Sequence, residues 1–215
     1  MRIAPEGWPF IRVALALDLA LAVVWYSWPG WTALLLVVGL VLTVWVAAFF
    51  RDPERRGERG DALVIAPADG RICSIAQVVE PMYLHQEATR VSIFMSVLNV
   101  HVNRFPVSGE VEVVHYNPGE FTVASHDKAS LVNEQASIGI LGPRGAMLVR
   151  QIAGSIARRI VTDCGPGDQV TQGERLGMIR FGSRVDVFLD PAAKVKVTMD
   201  QVVRGGETVL AEYPA

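Results

Sequence analysis

We first consider four side chains that could together make and break a covalent bond: Ser183, His101, His126 and Asp69. Ser183 follows Gly182, and glycine has no side chain to block a serine hydroxyl that attacks its carbonyl. Histidine titrates at about pH 6.5, so either histidine could transfer a proton at neutral pH. Each residue also has an ordinary structural interpretation, because Gly-Ser and Asp-Gly pairs are typical of turns and a lone histidine often only packs.

These residues lie in short blocks that follow one another along the chain: APADGRI (66–72), FMSVLNVHVNRFPVSGEV (94–111), PGEFTVASHDKASLVNE (118–134) and RFGSRVDVF (180–188). Together the blocks resemble the short form of the phosphatidylserine decarboxylase family, over roughly residues 51–200. In that family the Gly-Ser pair is the point at which a proenzyme cuts itself. The resemblance therefore implies self-cleavage between Gly182 and Ser183.

The chemistry that this resemblance implies begins when the Ser183 hydroxyl attacks the Gly182 carbonyl and turns the peptide bond into an ester. Loss of the Ser183 α-proton eliminates the upstream chain, and hydrolysis of the resulting dehydroalanine gives a pyruvoyl group and ammonia. That covalent pyruvoyl group would be the cofactor of a lyase that converts phosphatidylserine to phosphatidylethanolamine in phospholipid biosynthesis, with no metal. The mature protein would be a heterodimer of residues 1–182 and 183–215. The family usually has Gly-Ser-Thr here, and Arg184 replaces that threonine, whose hydroxyl the reaction does not need.

The resemblance also implies roles for the remaining residues. Asp69 matches the acidic member of the family's self-processing Ser-His-Asp arrangement. His101 matches the first of two histidines spaced three apart in longer members, the one implicated in decarboxylation, and Arg104 stands where the second, relay histidine would be. Either His101 therefore serves both steps or His126 supplies the base for cleavage. Arg104 could instead bind the substrate, because its planar guanidinium suits a phosphate or a carboxylate.

Strands must position these residues. From Asp61 onward, short alternating or β-branched runs recur between Gly, Pro, Asn and Asp residues, a pattern typical of an antiparallel β domain. The runs are 62–66, 71–79, 90–96, 109–116, 137–142, 146–154, 175–182, 184–189 and 194–199. The glycine-rich stretch 165–183 is similar to barrel-sandwich carrier domains. We expect a mainly β fold, with a compact antiparallel β domain of barrel-sandwich-like character over residues 61–215.

Two long apolar runs, residues 9–28 and 32–50, predict an N-terminal helical hairpin within residues 1–50. A membrane-spanning helix needs about 20 apolar residues, and the second run carries no charge. The first contains Asp18, which is costly in lipid, so this run either spans with a tilt, enters without crossing or lies at the interface. The charged linker 51–60 is rich in arginine, which favours the cytoplasmic side. The sequence thus predicts a cell-membrane protein with its catalytic domain on that side.

The remaining features narrow the partners. A net charge of −2 gives no electrostatic reason to expect nucleic acid, whereas the apolar hairpin suits a substrate that is itself a bilayer lipid. Cys73 and Cys164 lie far apart and are predicted to be free thiols. The oligomeric state is left open. The alternative functions are a membrane-anchored barrel-sandwich adaptor or binding protein without catalysis, and a pyruvoyl enzyme for a soluble amino acid, which the hairpin disfavours.

Overall fold

The structure is a computed structural model that describes residues 2–119, 133–154, 159–180 and 183–214. His126 and Gly182 therefore lie outside the described residues. The chain forms two compact units, residues 1–54 and 55–215. The predicted linker and the division at the cleavage point stay predictions.

The first unit is a pair of helices, α1 (Trp8–Ser27) and α2 (Thr32–Phe49), preceded by a short 3-10 turn, Pro5–Gly7. Its ends are joined by a small antiparallel pair, β1 (Arg2–Ile3) with β2 (Arg51–Asp52). The segments Pro5–Ser27 and Thr32–Phe49 are each long and apolar enough to cross a membrane by length and composition. Asp18 of α1 is buried, and its carboxylate accepts a hydrogen bond of 2.6 Å from the Thr43 hydroxyl of α2.

The described part of the second unit consists of strands of 2 to 11 residues. They are β3 (Leu63–Ile65), β4 (Gly70–Glu80), β5 (Gln86–Met95), β6 (Val102–Arg104), β7 (Gly109–Asn117), β8 (Gln135–Gly142), β9 (Gly145–Ala153), β10 (Ile160–Thr162), β11 (Gln169–Val170), β12 (Arg175–Ile179), β13 (Ser183–Leu189), β14 (Lys194–Val195), β15 (Val202–Val203) and β16 (Val209–Glu212).

Among the described residues of this second unit the strands form one large curled sheet and two small ones, all antiparallel. The large sheet has the order β11-β7-β8-β9-β13-β5-β4-β15, and the small sheets are β10-β12-β6 and β14-β16-β3. The predicted mainly β fold of barrel-sandwich-like character, with an apolar helical hairpin, is confirmed. The predicted strand 194–199 is wrong beyond Val195, because the Thr198 amide bonds to the Gln201 side chain and the chain turns there.

Side chains alternate between the two faces of the large sheet because successive residues in a strand point in opposite directions. One face, bearing Val185 and Val187 of β13 and Ile93 of β5, packs into the main hydrophobic core. The other face carries Arg184 and Asp186, which are also buried. We call these the core face and the opposite face.

Several strands of the large sheet begin or end together at one edge. β4 begins at Gly70, β5 ends at Met95, β9 ends at Ala153 and β13 begins at Ser183. The register aligns Ser183 with both Met95 and Ala153. We call these strand ends the site edge, because Asp69, His101 and Ser183 all lie at or next to it.

Candidate active site

Ser183 is the first residue of β13, a strand held between β5 and β9 in the middle of the large sheet. The side chain is completely buried on the core face, and its hydroxyl donates to the Met95 sulfur at 3.2 Å. Val185 and Val187 continue the same face into the core. The alternating pattern of β13 thus fixes the serine hydroxyl at the inner side of the site edge.

A chain of polar side chains, fully buried at Gln151 and Asn103, reaches the same sulfur from the neighbouring small sheet. The Thr162 hydroxyl of β10 donates to Gln151 Oε1 at 3.2 Å, and Gln151 Nε2 donates to Asn103 Oδ1 at 2.8 Å. Asn103 Nδ2 then donates to Met95 Sδ at 3.7 Å. Met95 therefore joins the Ser183 hydroxyl to a polar network that crosses the core between β9 and β6.

His101 directly precedes β6 and is fully buried. Its Nδ1 lies 2.9 Å from the carbonyl oxygen of Ile179, four residues before Ser183, and its Nε2 lies 3.1 Å from the carbonyl oxygen of Ser96. A neutral imidazole carries one N–H, so only the imidazolium can donate to both oxygens at once. Two backbone carbonyls thus hold the ring in a position where it can carry a proton. One belongs to Ser96, directly after Met95, and the other to Ile179, four residues before Ser183.

Asp69 lies in the turn before β4, where the sequence has Asp-Gly. A side chain at Gly70 would place its Cβ 2.2 Å from the Phe94 carbonyl oxygen, so glycine lets this turn pack against β5. The carboxylate of Asp69 accepts two hydrogen bonds from Arg55 Nη2, at 2.7 and 2.9 Å, and one from the Gly205 amide at 2.8 Å. Within the described ranges Asp69 is therefore bound to Arg55 rather than to a histidine.

Arg104, the last residue of β6, lies beside this ion pair. Gly206 has φ of +77°, and a Cβ there would meet both the Arg104 and Arg55 side chains within 3.1 Å. The Arg104 guanidinium donates to the Gly173 carbonyl at 3.1 Å. The structure therefore places a second arginine, Arg104, next to Arg55.

Arg184 points to the opposite face of the sheet from Ser183. Its Nε and Nη2 donate to the two carboxylate oxygens of Asp186 at 2.6 and 3.0 Å, and Nη2 donates to the Ser92 hydroxyl at 3.0 Å. The departure from Gly-Ser-Thr therefore does not crowd the serine hydroxyl.

Burial raises the pKa of the Cys73 thiol, which donates to the Ser92 carbonyl, so this thiol is a poor nucleophile at neutral pH.

A comparison with known families gives the family of the chain. The family model described as phosphatidylserine decarboxylase matches residues 42–211, most of the chain. The chain belongs to the phosphatidylserine decarboxylase family. This places it among decarboxylases and counts against the adaptor without catalysis.

The surroundings of Ser183 fit the pyruvoyl group that this family implies. Such a group would have a methyl where the serine has its hydroxymethyl, and that position faces the Met95 thioether and the apolar core. Asn103 donates to the same Met95 sulfur, and His101 contacts the Ile179 carbonyl oxygen four residues before Ser183. No group of three or more His, Cys, Asp or Glu side chains that could hold a metal occurs in the described part of the chain.

The structure thus brings Ser183, His101 and Asp69 to one edge of the sheet, without a direct hydrogen bond from the serine to either of the others among the described residues. It adds four residues that the sequence analysis did not single out: Met95, Asn103, Gln151 and Arg55. Met95 and Asn103 lie inside the quoted block 94–111, and Gln151 is a polar residue at a core-facing position of β9. That position is a signal that alternation alone could have revealed.

Proposed function

We propose that this member of the phosphatidylserine decarboxylase family cuts itself between Gly182 and Ser183 and then converts phosphatidylserine to phosphatidylethanolamine. The observation that carries the proposal is the position of Ser183. Its hydroxyl is buried at the start of a central strand, in a family whose members are decarboxylases.

The first reaction would use the Ser183 hydroxyl as nucleophile. Its oxygen bonds to the carbonyl carbon of residue 182, the C–N bond breaks, and the hydroxyl proton ends on the Ser183 nitrogen. Loss of the α-proton then releases the carboxylate of residue 182 and leaves dehydroalanine, and water converts this to the ketone with loss of ammonia. His101 is a candidate for the base, and so is His126, which lies outside the described residues, whereas Asp69 would be the acidic residue that orients the base.

The second reaction needs a proton at the carbon that loses CO₂. The pyruvoyl group supplies the electron sink for that step. His101 is suited to deliver the proton, because two backbone carbonyls hold its ring and can stabilise the charged imidazolium. Arg104, whose guanidinium reaches the Gly173 carbonyl, is the proposed contact for an anionic group of the substrate.

The substrate is a membrane lipid, and the helical hairpin is the proposed means of access to it. Both helices are long and apolar enough to span. Arginines at 51, 55, 56 and 59 follow α2, which supports a cytoplasmic position for the catalytic unit. We further propose that residues 1–182 and 183–215 remain associated after the cut, because β13 is paired on both sides.

Intact mass of the purified full-length protein tests the proposal. Wild type should yield two chains, residues 1–182 and 183–215, and the second should be lighter by one ammonia than the same peptide beginning with serine. Ser183→Ala should stay as one chain. Ser92→Ala, equally buried but on the opposite face, should be cut as wild type is.

Activity is then measured as CO₂ release from phosphatidylserine in liposomes and, separately, from free serine. Release from the lipid alone supports the proposed substrate. Release from free serine alone would favour a soluble amino acid as substrate, and a wild-type chain that stays uncut would refute the proposed mechanism.

A further inference from the structure

Asn103 occupies a position next to Ser183 that neither reaction above assigns. It is fully buried, as are Gln151, Met95 and Ser183 itself. Asn103 and Ser183 approach the same sulfur, that of Met95, from β6 and β13. A side chain held this close to the nucleophile, in a site closed to water, can control the direction in which the hydroxyl points.

The amide of Asn103 is bound firmly on one side and weakly on the other. Its oxygen accepts a hydrogen bond from Gln151 at 2.8 Å. Among the described residues, the acceptor for its Nδ2 group is the Met95 sulfur, at 3.7 Å. Thioether sulfur is a weak acceptor. The reverse amide orientation would lose the bond from Gln151 and turn the oxygen onto the sulfur, so the N–H groups face Met95. A buried donor satisfied so weakly requires an explanation, and a functional role is one.

We propose that Asn103 is a positioning residue for self-cleavage; this rests on the proposed function. Its amide holds the Met95 sulfur against the Ser183 hydroxyl and sets the direction from which the oxygen attacks the carbonyl of residue 182. The attack forms the O–C bond, breaks the C–N bond and moves the hydroxyl proton to nitrogen. Gln151 fixes Asn103, and Thr162 fixes Gln151, so the effect of a substitution decreases along this chain of contacts.

Cell-free synthesis of the full-length chain, followed by the appearance of the two fragments over time, measures the cleavage rate. Asn103→Leu keeps the number and branching of the side-chain heavy atoms and removes the amide, and we expect it to slow cleavage about 100-fold, the effect of a misplacement of about 1 Å. Gln151→Met should slow it less. The double variant should be no slower than Asn103→Leu, because both changes act through one contact. Ser92→Ala, which loses a buried hydrogen bond on the opposite face, should cut at the wild-type rate.

Hydroxylamine separates an effect on the attack of the hydroxyl from an effect on the later elimination. It cuts the ester but leaves the peptide bond, giving a hydroxamate at residue 182 and a free amine at Ser183. If Asn103 positions the attack, uncut Asn103→Leu protein remains a peptide and resists hydroxylamine.

Three results would overturn the inference: a wild-type rate for Asn103→Leu, accumulation of hydroxylamine-sensitive ester in that variant, or equal slowing by Ser92→Ala. A wild-type chain that never cuts overturns the proposed function and this inference together. Normal wild-type cutting with an unaffected Asn103→Leu variant overturns this inference alone.

Discussion

The buried guanidinium of Arg184 should make the stability of the β unit depend on Asp186. Arg184 is 1% exposed, and it donates to both carboxylate oxygens of Asp186. In an Asp186→Asn protein the guanidinium keeps its charge in a site closed to water but loses the carboxylate that neutralises it. Removing one partner of a buried ion pair costs about 3–5 kcal/mol.

Two further variants set the scale. Ser92→Ala removes a single hydrogen bond to the same guanidinium, which is worth about 1.5–3 kcal/mol for a bond to a charged group. The double variant Arg184→Met with Asp186→Leu removes both charges and fills the space with apolar atoms. It should recover most of the loss, because apolar replacements of buried ion pairs are often neutral or stabilising.

Thermal unfolding of the detergent-solubilised full-length chain measures these differences, in a Ser183→Ala background that keeps the chain in one piece. At about 2–4 °C per kcal/mol for a chain of this size, Asp186→Asn should lower the melting temperature by roughly 6–20 °C. A change no larger than that of Ser92→Ala would refute the reasoning. So would a double variant as unstable as Asp186→Asn alone.

Other regions give independent predictions. Burial alone would raise the pKa of Glu80, but amide donors from residues 82–84 and the Arg150 guanidinium outweigh it and lower that pKa below 4.5. Glu80→Gln should therefore cost about 2 kcal/mol of unfolding free energy at pH 7. In urea titrations, the difference in unfolding free energy between this variant and wild type should become smaller as the pH falls below 4.5, the ordinary pKa of a glutamate. Burial, with nearby carboxylates, raises the pKa of Cys164 to about 11; alkylation by iodoacetamide, located by mass spectrometry, should keep accelerating to about that pH, and a plateau near 9.0 would contradict this. Thr43→Val should destabilise the helical hairpin by about 0.6 kcal/mol in detergent by removing the hydroxyl bonded to Asp18, whereas Thr43→Ser should have little effect.

The alternation of apolar and polar residues, together with the turn residues between the runs, predicted most of the large sheet. It did so because each long strand has one face in the core. β13 shows this well: Val185 and Val187 mark the core face, and the strand begins one residue before the run that the pattern indicated. Short strands such as β6, β10 and β15 were not predicted. Their two or three residues carry too little periodicity, and long-range pairing forms them.

The same limit applies to the site. The block around His101 indicated that chemistry belongs there, but not that β6 would turn Asn103 toward Met95. The linker arginine Arg55 was counted only among the charges that favour the cytoplasmic side. Its partner Asp69 lies 14 residues away, in a turn that a linear pattern cannot connect to it. Contacts of this kind depend on how the small sheet packs on the large one, and no local feature of the sequence encodes that packing.

The place of β13 in the sheet also has a consequence for the order of events during synthesis. Its neighbours β5 and β9 leave the ribosome first, and their facing edges stay unpaired until residues 183–189 follow. Open edges of this kind invite pairing with other chains, and such non-local pairing is slow to form. Until β13 has docked, the serine is not yet in its buried position, so the proposed cut can begin only after residues 183–189 have been made and have paired. Self-cleavage would then mark the completion of folding, since a newly made molecule that misplaces its middle strand would remain whole.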